Sequence, residues 1–75
     1  MKIEKEVIVT AYDDNGTVVT EGDTILYTTK SSPYATLGIF KCLNEKGLVV
    51  LADFATKEEY AKAPANFVTF KKAEL

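Results

Sequence analysis

The residue types that carry most protein chemistry are scarce in this chain of 75 residues. It contains no His, so the commonest general base and the commonest zinc ligand are both missing. Its one cysteine, Cys42, falls inside an apolar run with no His or Arg nearby in sequence to stabilise a thiolate, and it reads as a small buried hydrophobe. Gly16, Gly22, Gly38 and Gly47 are spread one per turn or strand and form no phosphate-cradling loop. What remains is carboxylates, lysines and tyrosines. Asp13 and Asp14 precede Asn15-Gly16, where Asp is a turn former, and the segment is too short for a calcium loop. Asp53 ends an apolar run and is expected at a solvated strand end. Lys41 interrupts another such run, and its stem can lie over apolar neighbours while the ammonium reaches water. Tyr34, in a Pro-containing segment, is the aromatic best placed for recognition. This inventory points to binding and away from catalysis, with no cofactor and no metal expected.

Charge narrows the class of partner. Nine Lys and no Arg face eleven acids, for a net charge of -2, with the two signs interspersed. Arg is the usual bidentate reader of phosphate and guanine, so its absence weighs against nucleic acid. The competing reading is a small-barrel nucleic-acid binder, with bases stacked on Tyr27, Phe40 or Phe67 beside Lys41, Lys46, Lys71 and Lys72. Hydrophobic content of 47% with 27% charged residues is globular, and the length suits one domain over residues 1–75. A lone cysteine, the lack of an apolar signal core and the lack of any run of membrane-spanning length lead us to expect a cytoplasmic protein with no membrane partner.

These residues sit in strand-length segments. Val7–Tyr12 is β-branched and aromatic, Asn15-Gly16 is a hairpin signal, and Thr17–Thr20 is its second arm, with Lys2, Glu4, Lys5 and Glu6 decorating the outer end. Glu21-Gly22-Asp23 turns the chain into a strand at Thr24–Thr29, and Lys30–Thr36 reads as a mobile surface loop. Leu37–Phe54 is a hairpin around Asn44-Glu45-Lys46-Gly47 that is apolar on both faces. A four-residue loop pairs Leu43 with Leu48, Lys41 with Val50, Ile39 with Ala52 and Leu37 with Phe54 on one face. Phe40, Leu51, Cys42 and Val49 then share the other with Gly38 and Asp53. Thr56-Lys57-Glu58-Glu59 matches a capping box and predicts a short helix ended by Pro64, whose stripe of Tyr60, Ala61 and Ala63 covers part of one hairpin face. Asn66–Lys71 reads as a last strand with Val68 and Phe70 inward and Phe67 outward or at an edge.

The order of these features resembles the Src-homology-3 type of small barrel. Ala11-Tyr12-Asp13 resembles the opening motif of those domains, Glu21-Gly22-Asp23-Thr24-Ile25 their step into the second strand, and Pro64-Ala65-Asn66-Phe67-Val68 their closing segment. The resemblance implies a groove for proline-rich peptides lined by Tyr12, Pro64 and Phe67. Phe67 stands where the family has tyrosine, no tryptophan is present, and Ala55–Ala63 is an insertion the family lacks. Fold likeness does not by itself carry function.

The expected fold is mainly β: a small five-stranded antiparallel barrel or strongly bent sheet with one short helix before the last strand. The alternative is an α+β open sheet with the helix on one face. The expected function is a noncatalytic interaction module, of a size that suits an accessory or regulatory protein of a bacterium or virus. It would bind a protein partner or a second copy of itself through an apolar surface that includes Tyr34, Phe40, Leu51, Tyr12, Pro64 and Phe67.

Overall fold

The computed structural model describes residues 1–5 and 9–73. Among the described residues the chain is mainly β, in two antiparallel sheets of three and five strands that do not close into a barrel. The smaller runs in the order β1 (Lys2–Lys5), β2 (Val9–Tyr12), β3 (Val18–Val19). The larger contains β4 (Thr24–Thr29), β5 (Ser32–Leu43), β6 (Val49–Asp53), β7 (Glu59–Lys62) and β8 (Phe67–Lys72), in the spatial order β7-β6-β5-β4-β8. Val7 and Ile8, expected to open the second of these strands, lie outside the described residues. The charged segment ahead of them is a strand of its own, with Lys2 opposite Tyr12 and Lys5 opposite Val9.

The expected helix is absent. The Asp53 carboxylate accepts the amides of Ala55 and Thr56 at 2.8 and 2.9 Å, and Lys57 adopts a left-handed φ of 66°, so the chain reverses before a helical turn can propagate. Thr56 accepts from the amide of Glu58 in place of the capping-box bond to Glu59. Pro64 leaves too few residues for a stable helix, whereas a strand here extends the edge of β6 and sets Tyr60 against Leu51. The helical geometry that remains is one 3-10 turn, Pro64–Asn66.

The core lies between the sheets. Ile25, Tyr27, Phe40, Val49, Leu51, Phe67 and Phe70 from the large sheet meet Ala11 and Val19 from the small one, with Met1, Leu43 and Tyr60 packed at its margin. Ring centroids of Tyr27 and Phe67 lie 5.5 Å apart, and those of Phe67 and Phe70 5.0 Å apart, both edge-to-face.

Two bulges decide which residues enter that core. On β5, Phe40 pairs with Leu51 but Cys42 with Val50, so Lys41 is an extra residue and the alternation of side chains resets after it. Ile39 opposes Ala52 as the four-residue loop requires, yet beyond the bulge Leu43 opposes Val49 and Cys42 is turned outward, exposed. The expectation of a buried Cys42 is therefore corrected. On β8, Thr69 pairs with Thr28 but Phe67 with Thr29, so Val68 is the extra residue. Phe67 and Phe70 both point inward and Val68 is 60% exposed, the reverse of the order that strict alternation gives. The segment expected as a loop is mostly strand, with β5 starting at Ser32 opposite Thr29.

Candidate interaction surface

Six residues carried the sequence reading of the binding surface, and they scatter. Phe40 and Leu51, at 5% and 0% exposure, are core, where no partner reaches them in the folded chain. Phe67 is also buried, against Tyr27 and Phe70. Tyr34 is 80% exposed, standing where Pro33, Tyr34 and Ala35 oppose the single residue Thr28 between the pairs Thr29–Ser32 and Tyr27–Thr36. Pro64 lines an open cleft of about 710 Å³ with Ile3, Leu43 and the Asn44–Gly47 turn, whereas half-buried Tyr12 is not part of that cleft. The pairing of Tyr12, Pro64 and Phe67 in one groove is thus not reproduced. Tyr27, Phe40 and Phe67, the rings offered for base stacking, are all buried as well.

The apolar surface lies on the opposite face of the same sheet. Leu26 opposes Leu37, Thr24 opposes Ile39, Ile39 opposes Ala52, and Val50 lies between Cys42 and Ala61. Opposed residues share a face, so Leu26, Leu37, Ile39, Val50, Cys42 and Ala61 are one outward patch, with Ala52 on the same side but buried at 1% exposure. Leu26 is 41% exposed, Leu37, Ile39 and Val50 are partly exposed, and Cys42 and Ala61 are exposed. Its borders are polar: Lys71 beside Leu26, Glu59 beside Ala52, and Thr28 and Thr69, whose hydroxyls hydrogen-bond at 2.9 Å. The two-faced apolar character of Leu37–Phe54 has this origin: one face is core, the other is left to solvent. Leu26 was the missed residue, and its signal was the doublet Ile25-Leu26, which puts one apolar side chain on each face of β4.

On the core side of the sheet β4 and β7 are joined across β5 by tyrosines. The hydroxyls of Tyr27 and Tyr60 hydrogen-bond over Gly38, where an added Cβ would stand 3.1 Å from Tyr60 Oη and 3.2 Å from Tyr27 Cε1. Desolvation first, then the Tyr27 bond, and to a lesser degree the charge of Asp53, raise the Tyr60 phenol well above the usual tyrosine range. A phenol held neutral in this way is a structural hydrogen-bonding group and a poor proton-transfer group at ordinary pH.

The aspartates have been drawn into turns. Asp13 is buried; its Oδ1 accepts the amides of Asn15 and Thr17 at 2.9 and 2.8 Å, and its Oδ2 accepts that of Lys72 at 3.2 Å. Desolvation pushes the Asp13 carboxyl up, but the amides of Thr17, Lys72 and Asn15, helped by the Lys72 charge, outweigh it and leave the group below its ordinary value. Asp14 Oδ2 accepts the Phe70 amide at 2.8 Å, and the Asp14 amide donates to the Phe70 carbonyl at 2.8 Å. Asp23 is lowered by the Thr20 amide and by Lys72, whose Nζ lies 3.4 Å away. Asp53 is lowered by the amides of Thr56 and Ala55. Among the described residues no set of three or more acidic or Cys side chains could hold a metal ion. None of the described helical segments is long and apolar enough to cross a membrane, which leaves β-barrel spanning untouched. Compared with known proteins, the chain matches no family model, no curated protein and no solved structure.

Proposed function

We propose that the chain is a noncatalytic interaction module that binds a protein partner through the outer face of its five-stranded sheet. The observation that supports this most directly is Leu26, 41% exposed between Leu37 and Lys71 on a face whose other central accessible members are Ile39 and Val50. Contiguous apolar surface with a polar border is the composition of a protein contact. Asp13 and Asp53 engaged by turn amides, together with a phenol held neutral, support a noncatalytic reading. The finer fold in this reading is a strongly bent sheet of the Src-homology-3-like kind. Chain order supports it, as do the bulges at Lys41 and Val68, since bulges bend strands. The proline-peptide groove of that family is not part of it.

A photocrosslinking residue at Leu26, in cells that make the full chain, is expected to give a discrete protein adduct. The same residue at Val18, 43% exposed on the small sheet, is expected to give none. Equal labelling from both sites, or none from Leu26, would sink the proposal.

A further inference from the structure

The edge strands of the five-stranded sheet are β8 and β7. Backbone groups alternate along a strand between the two neighbours, so one hydrogen bond tells which residues of an edge strand face outward. Asp53 donates its amide to the Glu58 carbonyl at 2.8 Å, which turns Glu58, Tyr60 and Lys62 toward β6. The amide of Phe40, donated to Asp23 at 2.8 Å, gives the same alternation when carried across β5 and β6. The amides and carbonyls of Glu59 and Ala61 therefore face away from the sheet, and among the described residues no strand pairs with that side of β7.

We infer that this edge is the contact for a second copy of the chain, the two β7 strands running antiparallel about a two-fold axis at Tyr60. Antiparallel partners must both face the shared side, so a symmetric pairing has to be centred on a residue. Centring on Tyr60 lets Glu59 of each copy exchange both backbone bonds with Ala61 of the other. It also sets Tyr60 beside Tyr60 and Glu58 opposite Lys62 at both ends, an opposite-charge pair on one face of the sheet. Centring on Ala61 instead uses the carbonyl of Ala63, which already accepts the Asn66 amide at 3.0 Å, and places Lys62 opposite Tyr60 with no ion pair. Charge complementarity thus selects the register and the partner. The result is a ten-stranded sheet in which Ala61 and Val50 of both copies extend one apolar face. This deepens the proposed function by naming a partner, but uses the edge and not the face.

Sedimentation velocity at rising concentration tests it on the full chain. The wild type is expected to dimerise. Ala61→Pro removes only an outward amide, so a folded monomer is expected, checked by circular dichroism. Lys62→Glu is expected to weaken association about tenfold or more by opposing like charges, and Glu58→Lys combined with Lys62→Glu to restore it. Leu26→Lys, on the face, is expected to leave the dimer intact. A wild type that stays monomeric, or a charge-swapped double variant no tighter than the single one, overturns the edge pairing and leaves the face reading standing. A dimer lost with Leu26→Lys but kept with Ala61→Pro overturns it in favour of the face.

Discussion

The large sheet ends in two edges that the chain treats differently. On β8 the outward residues are Phe70 and Lys72, and both amides are taken by carboxylates of the turn that closes β2 on β3: Asp14 holds Phe70 and Asp13 holds Lys72. On β7 the outward residues are Glu59 and Ala61, and among the described residues no carboxylate, bulge or covering strand meets them. An unpaired edge is a template for another strand, and carboxylate oxygens aimed at its amides remove that template without adding a strand. The smaller sheet is thereby tied to the larger by its turn as well as by its core contacts. The device is a matter of one atom. The Asn44–Leu48 turn repeats the geometry of the Asp13–Thr17 turn: Asn44 Oδ1 accepts the amides of Lys46 and Leu48 at 2.9 and 3.0 Å, and Gly47, like Gly16, takes a positive φ. Asn has no second acceptor oxygen, and that turn closes only on itself.

Breaking the capped edge is expected to have the largest effect. Asp13→Ala removes the buried acceptor of the amides of Asn15, Thr17 and Lys72 and is expected to cost about 3 kcal/mol, since bonds to a charged acceptor are the strong ones. Asn44→Ala in the twin turn should cost about 1 kcal/mol. Urea unfolding measures both, and equal costs would show that the link to β8 contributes nothing. Acid acts on the same link. The Asp13, Asp23 and Asp53 carboxyls are all lowered in the folded chain. Their contribution is therefore full above the unfolded value of about 3.9 and is lost as pH falls through the lower folded values. Asp13→Asn is expected to flatten the acid limb of stability against pH. An unchanged limb would remove Asp13 from the account.

How much of this was legible in the residues follows from where periodicity holds. The Leu37–Phe54 hairpin, the Thr24–Thr29 strand and the turns at Gly16, Gly22 and Gly47 were read from composition and spacing, because β-branched runs and positive-φ glycines act locally. Side-chain facing failed wherever a bulge intervened. Lys41 and Val68 each insert one residue, and a period of two cannot survive an odd insertion, so Cys42 and Phe67 exchanged sides. No residue type announces such a bulge. The capping-box reading failed for a tertiary reason: a strand at Glu59–Lys62 gains ladder bonds to β6, which outweigh a marginal two-turn helix. The open face belongs to Ile39 and Val50 and not to Phe40 and Leu51, whose greater bulk fills the core.

The most selective effect falls on the bare edge. Gly38 of β5 lies under the Tyr27–Tyr60 hydroxyl pair, and an Ala Cβ there would stand 3.1 Å from Tyr60 Oη and 3.4 Å from the Ala52 carbonyl oxygen. Tyr60 is at the end of a flexible ring on an edge strand, so it can withdraw; the Ala52 carbonyl, in the middle of the ladder, has less freedom. Gly38→Ala is expected to cost about 1–3 kcal/mol, the range for overpacking a filled site. Its signature is directional: hydrogen exchange should quicken at Tyr60 and Lys62, whose amides face β6, while Phe70 and Lys72 keep their protection behind Asp14 and Asp13. Loss of protection at both edges together would mean that they open as one unit, and that the difference between them belongs to association and not to local stability.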